Sequence, residues 1–293
     1  MSCARSVSHV TIIGGGLMGS GITQVAAQTG HRVTLVDLDQ NILDGATARI
    51  TKSLARVAKK KFGDDADGAK AFMDTTMGSI STATDACSVV KDTDLVIEAI
   101  VENMAVKHRL FKELDSVAPQ SVIFTSNTSS LSIAEIAEVT SRKDRFGGLH
   151  FFNPVPVMKL LEVVKTADTS AETLSALTAF GKKLGKVTVE CSDTPGFIVN
   201  RLLVPNLAEA IKMLERGVAS AQDIDTAMKL GAGHPMGPLQ LADYVGLDTC
   251  CFILDGWSEK YPDVELFKTP ESLKKLVSEG KLGNKTGEGF YKH

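Results

Sequence analysis

Two residues stand out by their surroundings: His150 in Gly147-Gly148-Leu149-His150-Phe151-Phe152-Asn153-Pro154-Val155-Pro156, and Glu162 in the apolar run Leu160-Leu161-Glu162-Val163-Val164. A carboxylate in such a run is unfavourable unless it is paired. His150 ends a predicted strand, and two prolines fix the loop leading back towards Glu162, so each is the other's obvious partner. A carboxylate on one ring nitrogen orients an imidazole and stabilises its protonated form, which makes it a base for a secondary alcohol. With hydride leaving the same carbon, this is dehydrogenase chemistry. The plainer readings are a histidine that serves only the fold and a glutamate solvated on an edge strand.

A hydride needs an acceptor, and the N-terminal segment has the pattern of a dinucleotide site. The run His9-Val10-Thr11-Ile12-Ile13 leads into Gly14-Gly15-Gly16-Leu17-Met18-Gly19, and Asp37 closes Arg32-Val33-Thr34-Leu35-Val36-Asp37. In this pattern Gly14 makes the tight turn, Gly16 lets the backbone approach a pyrophosphate and Gly19 lets helix and strand pack closely, with the helix N-terminus facing the phosphates. Asp37 suits ribose hydroxyls and repels a 2′-phosphate, so the expected cofactor is NAD and not NADP.

Three further groups are candidates. Ser126-Asn127-Thr128-Ser129-Ser130 follows an apolar run; one of its hydroxyls is expected to cap a helix over 131–137, and the surplus of small polar residues to face the ligand crevice. Asn200, just past Gly196, is placed to reach that crevice from a second domain, with a merely solvated helix start as the alternative. On a helix, Ile50, Leu54 and Val57 form an apolar stripe. Ser53 and Lys60 flank it, about 10 Å apart along the axis. The basic flank is either a solvated face or a seat for a phosphate-bearing substrate.

The elements that must position these residues alternate along the first two thirds of the chain. Strands are expected at 9–13, 32–37, 94–99, 121–125 and 145–150, with 159–164 and 186–190 extending the sheet around a helix near 170–184. The expected class is α/β: a doubly wound parallel Rossmann-like sheet with a helical insertion from 39 to about 77, interrupted at Gly63-Asp64-Asp65 and Gly68. After Ser192-Asp193-Thr194-Pro195-Gly196 the periodicity becomes helical, giving an expected NAD-binding domain over 1–192 and an all-α domain over 193–293. Its helices are expected at 197–216, kinked by Pro205, and at 220–230, 238–244, 248–261 and 271–279, with Ser220 as an N-cap.

A net charge of −3 gives no general argument for nucleic-acid binding, and no apolar run is long enough to span a bilayer. Five cysteines without Cys-x-x-Cys spacing read as reduced thiols, with neither a disulfide frame nor a zinc site expected. Residues 1–8 carry Arg5, three serines and no acid, and read equally as the remnant of an organelle leader or as a short tail.

Taken together, the glycine fingerprint, Ser126-Asn127-Thr128-Ser129-Ser130, Gly148-Leu149-His150-Phe151-Phe152-Asn153-Pro154-Val155-Pro156, Asp193-Thr194-Pro195-Gly196-Phe197-Ile198-Val199-Asn200-Arg201, His234-Pro235-Met236-Gly237-Pro238 and Thr286-Gly287-Glu288-Gly289-Phe290-Tyr291 resemble the L-3-hydroxyacyl-CoA dehydrogenases of fatty acid β-oxidation. The resemblance covers nearly the whole chain. It implies oxidation of L-3-hydroxyacyl-CoA to 3-oxoacyl-CoA by NAD, with His150 as base and Glu162 holding it. It implies that Ser129 and Asn200 position substrate oxygens, and that Ser129 also lies near the nicotinamide. Glu102, Lys107 and Asn153 would join Gly14, Gly15, Gly16, Leu17, Met18, Gly19 and Asp37 at NAD, and Ser53 and Lys60, with Ser129, would meet coenzyme A. It further implies a homodimer through the helical domain, domain closure over substrate, no nucleic-acid partner, no membrane insertion, and the mitochondrial matrix, with the cytoplasm as the alternative. Two other readings stay open: a 3-hydroxyacid dehydrogenase whose substrate lacks CoA, and a binding protein that has lost the chemistry.

Overall fold

The computed structural model describes residues 6–293; Cys3 and most of the segment read as leader or tail lie outside the described residues. Two compact units form, the first ending at Phe197 and the second spanning Ile198–His293.

In the first unit β1 (His9–Ile13) is buried along its length, as a strand covered on both faces requires, with its polar His9 and Thr11 hydrogen-bonded to Thr34 and Thr93. It leads through the glycine turn into α1 (Leu17–Gln28), then β2 (Arg32–Val36), α2 (Gln40–Phe62), α3 (Ala66–Gly78), β3 (Ile80–Ala83), α4 (Ala86–Val89), β4 (Leu95–Glu98), α5 (Met104–Val117) and β5 (Ile123–Ser126). The unit continues with α6 (Ile133–Ala137), β6 (Phe146–Phe151), β7 (Leu160–Lys165), α7 (Ala171–Lys183) and β8 (Val187–Ser192).

The eight strands form one sheet in the order β3-β2-β1-β4-β5-β6-β7-β8. Neighbours run parallel except β6 and β7, which are antiparallel. The fold is thus the doubly wound, mostly parallel sheet followed by a helical unit. The chain order reverses beside β1, between β2 and β4, and the crevice at the strand ends there is where such sheets take ligands. Alternate side chains of the strands feed two apolar layers. One contains Val10, Ile12 and Leu35 with Ile22 of α1 and Phe180 of α7; the other contains Ile13, Val36 and Val96 with Phe111 of α5 and Ile136 of α6.

The structure departs from the sequence reading in four places. β3 is an additional strand; it is short, at the sheet edge and never fully buried, so it has neither the length nor the apolar alternation that marks a strand. The insertion is two helices divided at Gly63, which adopts a positive φ of 57°, whereas Gly68 lies inside α3. Gly68 makes room for a cap: its N–H donates to Asp65 Oδ1, and a Cβ there would come within 2.3 Å of Asp65 Oδ2. The cap of α6 is Ser132, not a hydroxyl of the 126–130 cluster. Asp193 belongs with the first unit, because its carboxylate accepts from Ser132 Oγ and from the N–H groups of Ile133 and Ala134.

The second unit is helical: α8 (Val199–Glu215), which continues through Pro205, α9 (Ala221–Gly231), α10 (Pro238–Val245), α11 (Leu247–Lys260) and α12 (Glu271–Ser278). Leu207, Ile211, Leu239, Leu254, Trp257 and Phe267 form its core. Two buried aspartates tie down the C-terminal segment: Asp243 accepts from the N–H groups of Phe290 and Tyr291, and Asp225 from the Tyr291 hydroxyl at 2.7 Å. Burial and these carboxylates push the Tyr291 phenol above its ordinary range. Among the described residues no helix is long and apolar enough to cross a membrane.

Candidate active site

His150 on β6 and Glu162 on β7 are register partners across the antiparallel pair, so their side chains stand opposite each other on one face. His150 Nδ1 lies 2.7 Å from Glu162 Oε2, with the histidine 3% exposed and the glutamate fully buried. A carboxylate can only accept, so Nδ1 carries the proton of this bond and the Nε2 lone pair of the neutral ring points away from Glu162. Ser129 Oγ meets Nε2 at 3.1 Å. The rings of Phe152 and Phe197 lie 4.5 and 5.5 Å from the imidazole, keeping the pair in an apolar setting that strengthens its electrostatics.

The loop carrying Ser129 is organised by a single carboxylate. Glu102 Oε1 accepts from Thr128 Oγ1 at 2.5 Å, from Ser129 N at 3.0 Å and from the N–H and hydroxyl of Ser130. Lys107 on α5 is buried, and its ammonium bridges Glu102 Oε2 at 3.2 Å and Glu98 Oε1 at 2.6 Å. Burial pushes the Glu102 carboxyl up, but the Lys107 charge and the bonds from Thr128 and Ser129 outweigh it, leaving it below its ordinary range. Glu98, at the end of β4, also accepts from Ser126 Oγ, and Asn127 Oδ1 accepts the N–H of Phe151 beside His150. Lys107 therefore acts on the crevice through Glu102.

The glycine turn has the shape that a pyrophosphate site requires. Gly14 has φ +112°, and a Cβ there would meet Ala99 O at 2.5 Å; one on Gly19 would meet Gly14 O at 1.7 Å. Gly16 faces open space, with no atom within 4 Å of the position its Cβ would take. Leu17 is exposed, and Met18 packs against the apolar layer beneath. Ser20 Oγ donates to the Gly16 carbonyl and Arg49 to the Gly15 carbonyl, tying back two acceptors at the helix entrance. Asp37, at the end of β2, receives the Gly15 N–H at 2.7 Å and so stands beside the turn. The chain's own residues thus fit NAD in both the glycine cradle and the acidic group at its side.

Asn153 is exposed on the loop after β6, at the cis peptide bond preceding Pro154. Ser53 and Lys60 lie on α2, half-buried and exposed respectively, beside a stripe of Leu43, Ala46, Ile50, Leu54 and Ala58. Ala58, not the half-buried Val57, completes that stripe. Asn200 stands in the first turn of α8, in the second unit. Sequence reasoning missed Glu98, Arg49 and the specific roles of Thr128 and Asn127. Glu98 carried a usable signal, since it ends the apolar run Leu95-Val96-Ile97 as Glu162 interrupts its own. Arg49 carried none, being one of several basic residues on an amphipathic helix.

Comparison with known proteins gives a consistent result. The NAD binding domain of 3-hydroxyacyl-CoA dehydrogenase matches residues 9–194, and the C-terminal domain of 3-hydroxyacyl-CoA dehydrogenase matches residues 196–293. The mitochondrial hydroxyacyl-coenzyme A dehydrogenase of Sus scrofa is 61% identical over 287 residues, covering 98% of this chain and 91% of that protein. A probable 3-hydroxybutyryl-CoA dehydrogenase of Bacillus subtilis is 44% identical, covering 97% of each chain. The solved structure of (S)-3-hydroxybutyryl-CoA dehydrogenase from Ralstonia eutropha superimposes with a TM-score of 0.92 at 40% identity, covering 98% of this chain and 99% of its own.

Proposed function

Because the chain belongs to the 3-hydroxyacyl-CoA dehydrogenase family, we propose that its NAD-dependent oxidation of 3-hydroxyacyl-CoA runs through the pair His150–Glu162 and acts on the L-isomer. The observation that carries this reading is the 2.7 Å bond between a buried imidazole and a buried carboxylate, with the other ring nitrogen turned to a hydroxyl. His150 Nε2 takes the proton from the C3 hydroxyl, and Glu162 accepts the Nδ1–H bond and stabilises the resulting imidazolium. Ser129, already hydrogen-bonded at Nε2, orients the substrate oxygen, and Asn200 is assigned to the same substrate from α8. Bound NAD would supply the acceptor for the hydride that leaves C3. Gly14, Gly15, Gly16, Leu17, Met18, Gly19 and Asp37 are the residues proposed to hold it, with Glu102, supported by Lys107, and Asn153. Ser53 and Lys60 on α2, with Ser129, are proposed to meet the CoA moiety, an assignment supported by the basic flank Lys59-Lys60-Lys61.

The helical unit exposes Leu202, Leu230, Tyr244 and Phe252, which supports a homodimer formed through it. The mitochondrial matrix is the proposed compartment, supported by the names of relatives about 60% identical.

The decisive assay follows NADH oxidation with acetoacetyl-CoA and with free acetoacetate. Turnover confined to the thioester is expected. Comparable turnover of free acetoacetate would favour a substrate without CoA, and NADH binding without turnover of either would favour a protein that has lost the chemistry.

A further inference from the structure

The loop of residues 152–159 leaves β6 directly after His150 and Phe151 and returns to β7. Within it, the N–H groups of Val157 and Met158 donate to the Pro154 carbonyl, forming a tight turn. One side of the turn rests on α1: Val155 is buried, and even a methyl group on Gly21 would come within 2.8 Å of its Cβ. The other side is held from the far edge of the sheet. Lys186, just before β8, is buried, and its Nζ donates to the carbonyls of Val155 at 2.5 Å and Met158 at 2.7 Å. The next residue, Val187, donates its N–H to the Lys159 carbonyl at 2.8 Å.

We propose that Lys186 is a positioning residue for the cofactor site, its ammonium clamping the 152–159 loop so that Asn153 is presented to NAD and Val155 stays seated on α1. An ammonium among main-chain carbonyls makes charge-assisted bonds, stronger than those a neutral donor makes. Removing it leaves the buried Val155 carbonyl and the part-buried Met158 carbonyl without this donor. Burial pushes the Lys186 amine below its ordinary value. His150 does not share this dependence. It is fixed by its register with Glu162 and by Asn127 holding the Phe151 N–H. Lys186 therefore separates two properties of the site: cofactor affinity depends on it, and proton transfer at His150 does not.

This inference rests on the reading of Asn153 as a cofactor contact, and the test separates the two. NADH affinity is measured by fluorescence titration of the full chain, with kcat taken at saturating cofactor. Lys186→Met is expected to raise the NADH Kd about tenfold while kcat stays within about threefold, the size set by losing charge-assisted bonds. A folded Lys186→Met protein with an unchanged NADH Kd overturns the proposal, as does a fall in kcat that matches the rise in Kd. Asn153→Ala is measured alongside. If it leaves the Kd unchanged, Asn153 is not a cofactor contact; if it raises the Kd while Lys186→Met does not, Lys186 alone loses its role. Should Lys186→Met fail to fold, Val155→Ala trims the anchor on α1. A raised NADH Kd with kcat retained then supports the clamp, and an unchanged Kd overturns it.

Discussion

The His150–Glu162 pair is a buried imidazole–carboxylate bond of 2.7 Å, and if it takes the alcohol proton as proposed, its worth appears in the chemical step. His150→Gln removes the proposed base, and Glu162→Gln keeps the shape while removing the charge proposed to stabilise the imidazolium. Each is expected to lower kcat by about two to four orders of magnitude, the usual range for a positioned acid or base, with NADH affinity nearly unchanged. Stopped-flow turnover of acetoacetyl-CoA together with NADH titration checks this, and a large loss of NADH affinity would make the pair structural. This pair was legible in the sequence because an acid in Leu160-Leu161-Glu162-Val163-Val164 needs a partner. The role of Glu102 in gathering Thr128, Ser129 and Ser130 was not, because the bonds join segments 26 to 28 residues apart and local spacing cannot show which carboxylate reaches which loop.

At the scale of elements, that carboxylate links helix α5 to the loop after β5. Burial raises the Glu102 pKa, and Lys107 with the Thr128 and Ser129 bonds lowers it by more, so the folded value lies below the unfolded one. The stabilisation is therefore complete above the ordinary carboxylate range and is lost as pH falls through the folded pKa. Wild-type protein should lose thermal stability more steeply than Glu102→Gln between about pH 5 and about pH 3, while being the more stable of the two at neutral pH. Melting midpoints across that range decide it, and parallel curves would remove Glu102 as a stabilising link. Elements with strong apolar periodicity were legible from sequence: β1, β2, β4 and the helices of the second unit fall within a residue or two of expectation. β3 was not, since an edge strand with no buried residue carries little burial to pattern its sequence. The antiparallel turn from β6 to β7 was not read either, because strand direction follows from how the loop closes and not from residue alternation.

At the scale of the whole molecule, the helical unit leaves several large apolar side chains exposed. Its core is closed by Leu207, Leu239, Leu254 and Trp257, yet Leu230 is 83% exposed, Leu202 70% and Phe252 60%. Single exposed apolar residues are ordinary, and these mark an interface only if one partner covers them together. A second copy of the chain is the partner proposed, so sedimentation should give a particle of twice the chain mass at micromolar concentration, dissociating on dilution as mass action requires. Phe252→Glu, which places a charge on α11, is expected to shift that equilibrium towards monomer. Tm should then become less dependent on protein concentration, because association no longer stabilises the folded chain. A wild-type protein that stays monomeric across the same range would show that the exposed apolar residues of the helical unit serve something other than self-association.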